Sequence, residues 1–368
     1  MTTTIMRDED IQNFGIDPVK DSCRKPWAFA STMLQRVSRT FALNIQVLPR
    51  FRLRRPVLLA YLYCRMADTI EDCPEMSAET KGRLLAMFAK IFQGPAERRI
   101  DLAQAFSCAL PSGWSSSEDD NEYLCAHCHW TAVLFDEMPS TVRVPLAKCI
   151  QEMCGGMANF AQRQESLQGQ WLTIENEQDL DRYCYYVAGV VGNMLSDMFY
   201  GRSPWIGKER GQKMRALAVS FGLALQITNI IKDMGEDSER QVCFVPLEWI
   251  RGVGFSNPQD MFAAADSDSR NQIVRLMIQK AWRHLEDAMR FTLLIPAMEP
   301  RLRLFCLWPM LMAAENLLAF GDGHLVFSSS KVKISRESVK RILRQTTLRF
   351  WDSSWLEGRL HSLRQMSL

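Results

Sequence analysis

Nine stretches of this 368-residue chain place apolar residues three and four positions apart. That period constrains the fold more than any other feature. The stretches are Met33–Leu48, Pro56–Asp72, Ala78–Gln93, Val142–Gln164, Leu180–Tyr200, Lys208–Glu236, Arg270–Leu294, Arg301–Phe320 and Ser335–Leu363. Alternating patterns are few, so the spacing predicts an all-α chain. Gly and Pro fall mostly between the stretches, where they stop helices. Pro309 lies inside one and is expected to kink it. Pro111–Asn121 reads as an exposed loop, Gln168–Gln178 as a connection and Gly321–Lys333 as a further loop. None is long or biased enough for a domain linker, and no repeat recurs at a fixed period. The expectation is a loosely held segment over residues 1–25 and a single all-α domain over 26–368.

Composition then excludes several classes. With 47% hydrophobic and 23% charged residues, the chain is too apolar for disorder. Lys plus Arg is 44 and Asp plus Glu is 42, a net +2. That balance gives no broad positive field for nucleic acid. The longest uninterrupted apolar run, Leu304–Ala314, is eleven residues, short of the ~20 that cross a bilayer. Charges at Arg7, Asp8, Glu9, Asp10 and Asp17 leave no secretory h-region. Eleven scattered cysteines suit a reduced, cytoplasmic chain better than a disulfide scaffold.

Two acidic clusters stand out. Asp68, Glu71 and Asp72 lie in ADTIEDC; Asp233, Glu236 and Asp237 lie in KDMGEDS. Each set falls at i, i+3 and i+4, one face of a helix. Upstream, Gln226 and Asn229 extend the second set into a stripe. Like charges at this spacing repel by a few tenths of a kcal/mol. Oxygen ligands on one face suit a hard divalent cation, above all Mg²⁺, which keeps waters and bridges to phosphates. Two facing stripes would hold a diphosphate through shared Mg²⁺. Solvated acidic faces are the plainer reading of either cluster alone, but both are embedded in strongly apolar helices. Arg65 stands three residues before Asp68, and Arg39 in Ser38-Arg39-Thr40-Phe41. Arginine suits bidentate phosphate contact; a surface charge or an Arg65–Asp68 ion pair are the alternatives.

The segment Tyr183-Cys-Tyr-Tyr-Val-Ala-Gly-Val-Val-Gly192 is the third feature. Glycines inside a helix cost about 1 kcal/mol each. Gly189 and Gly192 therefore need a reason, such as close approach of another helix or an isoprenoid chain. Tyr183 offers a phenol as hydrogen-bond donor or proton shuttle.

Together these residues resemble the squalene and phytoene synthases, head-to-head prenyltransferases of the all-α isoprenoid-synthase (class I terpenoid synthase) fold. The matching segments are SRTFALNIQVLP (38–49), YLYCRMADTIED (61–72), DLDRYCYYVAGVVG (179–192) and LALQITNIIKDMGED (223–237). They keep the family's order over roughly residues 30–320. The resemblance implies a helical bundle around a central cavity. It implies that Asp68, Glu71, Asp72, Asn229, Asp233, Glu236 and Asp237 bind Mg²⁺ and diphosphate, with Gln226 assisting. Arg39 and Arg65 would bind diphosphate, Ser38, Thr40 and Phe41 would form a flap, and Tyr183 would stand near the departing diphosphate. The substrate implied is farnesyl diphosphate, ionised and joined head to head to a second molecule to give presqualene diphosphate. Two further segments look like squalene synthase in particular. Leu304-Phe305-Cys306-Leu307-Trp308-Pro309 is similar to its reductive pocket, with Phe305, Cys306 and Pro309 as the cofactor-binding positions. Lys331-Val332-Lys333-Ile334-Ser335-Arg336 is similar to a segment whose cations, here Lys333 and Arg336, meet the phosphate of NADPH. Ser335 stands in place of a cation there, so NADPH and NADH both stay open. A dehydrosqualene- or phytoene-type product without reduction is the alternative. The anchor helix of eukaryotic members has no counterpart, and a soluble, bacterial-type monomer is expected.

Three other readings compete. Cys125-Ala-His-Cys128-His129 matches the attachment signature of c-type haem and has spacing suited to Zn²⁺; a chance cluster is the simpler account. A catalytically inactive scaffold relative should have eroded acidic clusters, and both are complete. The basic, aromatic C-terminus beyond Ser335, with Arg349, Phe350, Trp351 and Trp355, either touches a membrane surface peripherally or packs on the domain.

Overall fold

The computed structural model describes residues 24–166, 171–264, 268–321, 326–327 and 332–367. Most of the proposed loose segment, residues 1–23, lies outside them, as does Lys331. Seventeen helices of at least six residues are described, and one pair of short strands. They are α1 (Arg24–Val37), α2 (Arg39–Val47), α3 (Arg55–Asp72), α4 (Ala78–Gln93), α5 (Arg99–Ala109), α6 (Asp120–Ala126), α7 (His129–Phe135) and α8 (Ser140–Ser166). Then follow β1 (Leu172–Ile174), α9 (Glu177–Cys184), α10 (Val190–Arg202), α11 (Lys208–Glu239), β2 (Val242–Pro246), α12 (Leu247–Gly252), α13 (Pro258–Ala263), α14 (Asp268–Leu294), α15 (Pro300–Phe320), α16 (Arg336–Arg349) and α17 (Ser353–Ser367).

Six of the nine periodic stretches match single helices to within a few residues, while the short α5, α6, α7, α12 and α13 were not predicted. Three stretches were split. Leu180–Tyr200 becomes α9 and α10 around a π-helical turn at Tyr185–Gly189. Met33–Leu48 breaks at Ser38, whose extended backbone (φ −160°) starts α2 and whose hydroxyl accepts from the Phe41 N–H. Serine competes with helix continuation by capping. Ser335–Leu363 breaks at 350–352 into α16 and α17. The 111–121 loop is partly ordered, with a short helical turn that buries Trp114. Strand β1 falls in the 168–178 connection and pairs in parallel with β2, Leu172 opposite Val242 and Thr173 opposite Cys243. The helix α15 continues through Pro309.

The buried apolar side chains form one continuous cluster. Helix α11 lies at its centre against α10, α14 and α15, while α4 packs along α8. Gly192 and Gly222 make the α10–α11 approach possible. A Cβ on Gly192 would collide with the Ala218 carbonyl, and one on Gly222 with the Ala188 carbonyl. Close helix approach is therefore the reason for the glycine of the aromatic segment. Helices α11 and α15 are long and apolar enough to cross a membrane by length and composition, which the count of uninterrupted apolar residues did not reveal. More than half of the relevant stretch of each is buried inside the protein, 56% and 67%.

Candidate active site

Both acidic clusters arise at helix C-termini. Helix α3 starts with Pro56 in its first turn, buries Val57, Leu59, Leu62, Met66 and Ile70, and ends at Asp72 before Cys73-Pro74. Helix α11 runs 32 residues and ends two positions after Asp237. A helix C-terminus carries roughly half a negative charge. Six carboxylates therefore gather where two helix dipoles already point negative. The arrangement is unfavourable until cations join it.

The structure brings the two stripes onto one cavity of ≈ 710 Å³, lined by Arg65, Asp68, Glu71, Asp72, Tyr183, Gln226, Asn229, Asp233, Glu236 and Asp237. A neighbouring cavity of ≈ 510 Å³ shares Glu71, Asp72, Tyr183, Arg240 and Phe244 with it. It continues along Met76, Phe160, Ala161, Leu172 and Val242. Both volumes lie in the range of small-ligand sites.

The electrostatics follow from this crowding. Asp68 and Glu71 are half-buried. Desolvation first, and the Asp72 charge after it, push Asp68 up to about 7 and Glu71 up to about 8. Asp237 is pushed up to about 6 by burial against the opposing pull of Arg240. The donor set is all oxygen, carboxylate and amide, and suits a hard cation such as Mg²⁺. Among the described residues no group of three or more Asp, Glu, His or Cys side chains is placed to hold a metal ion.

Tyr183 stands over the boundary of the two cavities. Its ring stacks on Phe244 at 4.3 Å and meets Phe160 edge-on at 5.1 Å. Burial, then the charges of Glu71, Asp72 and Asp237, push its phenol well above the usual range. It stays protonated and can donate a hydrogen bond. The strand pair fixes this position. Arg163 of α8 donates to Asp179 Oδ2 and to the Thr173 carbonyl, each at 2.6 Å. Asn176 caps α9 by accepting from the Asp179 N–H at 2.9 Å.

Three basic residues were missed from sequence. Arg240 caps α11 and donates to Asp72 Oδ1 at 3.0 Å and to Asp237 Oδ1, so it ties one acidic cluster to the other. Burial opposes its charge, but Asp237 and Asp72 outweigh burial and raise its pKa. Its three-residue spacing from Asp237 was the available signal. Lys81 of α4 donates to the Glu71 carbonyl at 2.5 Å. Lys232 lies 3.1 Å from Asp233 Oδ2 and donates to Asn229 Oδ1.

Other expected residues lie off the wall. Ser38 is hydrogen-bonded with Tyr61, on which Phe41 stacks at 4.9 Å. Tyr61 precedes Arg65 by one turn of α3, so the 38–41 segment adjoins the site without lining the cavity; Arg39 and Thr40 are exposed. Arg65 lines the cavity and donates to Asn121 Oδ1 at 3.0 Å. Phe305 and Cys306 are buried on α15, where the Phe305 carbonyl accepts from Asn44 at 3.2 Å. Pro309 is half-buried, and Lys333 and Arg336 are exposed at the start of α16. None of these five lines the acidic cavity. Ser335 caps α16 by accepting from the Ser338 N–H at 3.0 Å, a structural reason for serine at that position.

The Cys125–His129 cluster does not converge. Cys125 Sγ faces the Met66 carbonyl at 3.7 Å, and Cys128 Sγ the Ala103 carbonyl at 3.5 Å. Burial pushes the Cys128 thiol up to about 12 and Cys125 well above its usual range. Protonated thiols pointed at different carbonyls are packing residues, and a metal needs thiolate.

Comparison with known proteins gives the family and the fold. The family profile described as squalene/phytoene synthase matches residues 34–338. The chain is 31% identical to squalene synthase of Solanum lycopersicum over 324 residues, 87% of this chain and 70% of that one. It is 28% identical to squalene synthase 1 of Arabidopsis thaliana over 325 residues, 87% of this chain and 71% of that one. A ligand complex of TcSQS superposes with a TM-score of 0.73 at 24% identity, covering 92% of both chains. A dehydrosqualene synthase in complex with a ligand superposes with a TM-score of 0.63 at 22% identity, covering 91% of this chain and 99% of that one.

Proposed function

We infer the activity from one premise: the chain belongs to the squalene/phytoene synthase family, and its helices form the all-α isoprenoid-synthase bundle. The reading is a squalene synthase that joins two farnesyl diphosphates head to head and reduces the product with NADPH. One observation supports it above the others: six carboxylates from two helices, with Asn229 and Gln226, line a single cavity beside a buried tyrosine.

In this reading Asp68, Glu71, Asp72, Asn229, Asp233, Glu236 and Asp237 would hold Mg²⁺, which neutralises diphosphate and makes it a better leaving group. Arg65, Arg240 and Lys81 add fixed positive charge at the same end, where the leaving group gathers negative charge. The protonated Tyr183 phenol donates a hydrogen bond to the departing diphosphate and holds the proton at its oxygen. With Phe244 and Phe160 around it, it also walls the allylic cation from water, which would quench it as an alcohol. The exposed Lys333 and Arg336 suit a cofactor phosphate, and NADPH bound there would supply hydride. The reductive step rests on the similarity of the 304–309 and 331–336 segments.

The test is direct. Incubation with farnesyl diphosphate and Mg²⁺, with and without NADPH, should give squalene only with NADPH and presqualene diphosphate without it. Dehydrosqualene under both conditions would replace the reductive reading with its unreduced alternative. No prenyl product at all would remove the activity. Tyr183→Phe with full turnover would remove the tyrosine from the chemistry.

A further inference from the structure

Helix α9 carries Tyr183 but has little to hold it in place by itself. It spans eight residues, Glu177–Cys184, and gives way to the π-helical turn at Tyr185–Gly189. A helix that short is marginal in water, so its placement must come from its neighbours. Its three acids, Glu177, Asp179 and Asp181, divide between two faces. At ~100° per residue, Asp179 and Tyr183 share one face, while Glu177 and Asp181 share another, centred about 140° away from Tyr183. The first face looks to α8, where Arg163 holds Asp179 and Phe160 meets the Tyr183 ring.

The second face is gripped by Lys280 of α14. Its ammonium lies 2.6 Å from Asp181 Oδ1 and 2.9 Å from Glu177 Oε1. At 2% exposed it is the only buried lysine among the described residues. Burying an ammonium is costly unless carboxylates meet it at close range, and an apolar side chain would fill the same place without that cost. What the charge adds is direction. One point that grips carboxylates at i and i+4 fixes how far α9 is turned about its own axis.

The surroundings leave this grip to Lys280 and tie it to the frame of the site. Exposed Arg283 adds a second cation to Glu177 at 2.9 Å. His284, one turn beyond Lys280, lies 3.9 Å from Asp181 Oδ1. Burial, and the Lys280 charge after it, lower the His284 pKa, so the ring stays neutral. His284 Nδ1 is 3.2 Å from Ser220 Oγ of α11, and Ser220 donates to Asp287 Oδ2 at 3.2 Å. Those bonds register α14 on α11, the helix of the second acidic cluster. Lys280 therefore refers the tyrosine helix to the same frame that carries Asp233.

We propose that Lys280 is a positioning residue for the reaction: by holding Glu177 and Asp181 it sets the rotation of α9, and with it the place of the Tyr183 phenol between the two cavities. The proposal rests on the role given to Tyr183 above. Lys280 lines neither cavity and acts through the tyrosine.

Two variants test it. Lys280→Met keeps the apolar stem and removes the charge; Asp181→Asn is the milder change and carries the same test where Lys280→Met fails to fold by circular dichroism. Each is made with and without Tyr183→Phe, and presqualene diphosphate formation is followed with Mg²⁺ and no NADPH. In each variant kcat should fall about tenfold with KM within about twofold of the parent. Added to Tyr183→Phe, neither should lower kcat further. Labelling with 3-fluorotyrosine reads the placement without turnover. The Tyr183 fluorine resonance, identified by its loss in Tyr183→Phe, should move in both variants while that of buried Tyr63 holds. An unmoved Tyr183 resonance or an unchanged kcat in the folded variants would overturn the proposal. So would an equal fall in kcat with and without the Tyr183 hydroxyl, which would leave Lys280 a residue of the fold alone. Full turnover of Tyr183→Phe by itself would remove the tyrosine's role and the proposal with it, and is told apart because it needs no change at Lys280.

Discussion

The two ends of this bundle carry opposite charge and are built differently. The acidic end comes from two helices, each with its carboxylates on one face within five consecutive residues. The basic end, where α3, α11 and α15 begin, comes from four segments that share no local pattern and meet around Glu299 and Arg303, with Arg50 and Arg301 close to Arg54. Local periodicity made the first end visible in the sequence, while the second exists only because distant segments fold together. The net +2 averages over both. A near-neutral total is thus compatible with two strongly polarised surfaces.

The largest expected effect separates the two ends functionally. Asp68→Asn or Asp233→Asn should lower prenyl-transfer turnover on the order of 10²–10³-fold, measured by hydrocarbon or presqualene diphosphate formation, while the circular dichroism spectrum stays that of the folded chain. Loss of both together would mean that the acidic end also holds the fold. Next, Arg240→Ala removes the tie between Asp72 and Asp237. Charged hydrogen bonds of this kind are worth about 1.5–3 kcal/mol, so kcat/KM should fall roughly ten- to a hundredfold, with a steeper dependence on Mg²⁺ concentration. An unchanged Mg²⁺ profile would make Arg240 a helix cap and nothing more.

Glu315→Gln addresses how the C-terminal helices are held on α15. It breaks the clamp on Arg341 and Arg359, which are themselves partly exposed. The cost should be about 1–3 kcal/mol, read as a lower thermal midpoint and earlier proteolysis after α15. If the midpoint does not move, the C-terminal helices are held by their apolar contacts alone.

The smallest effect is on pH. Asp68, Glu71 and Asp237 have folded-state pKa values raised to about 7, 8 and 6. Raised carboxyl pKa values stabilise the fold while the groups are protonated, and that contribution is lost as pH rises through the folded values. The metal-free protein should therefore lose about 2–4 °C of thermal midpoint between pH 5 and pH 8.5. Added Mg²⁺ should restore it at the alkaline end. A midpoint that rises over this range without Mg²⁺ would contradict the raised values.

Much of the site was legible before the fold. Asp68, Glu71, Asp72, Gln226, Asn229, Asp233, Glu236 and Asp237 were found because helical spacing alone puts them on one face. Tyr183 was marked by its glycine-rich segment. Arg240 and Lys81 were not found. A single cation near a helix end looks like any surface charge until its partners from another helix are in place. The Ser38 break was hidden for a similar reason: capping is a choice between two backbone states that apolar periodicity does not register. The strands β1 and β2 are three and five residues long, and each needs the other to be a strand at all.

What the sequence by itself determined is the long helices, their apolar faces and the content of the two acidic stripes, all of which depend on neighbours within a turn or two. The tertiary structure decided what those stripes face, that Arg240 joins them, that Phe244 meets Tyr183, and that arginines gather at the opposite pole. Each of those depends on side chains up to hundreds of residues apart, as in the 247-residue separation of Arg52 and Glu299. Only packing of the whole core fixes such distances.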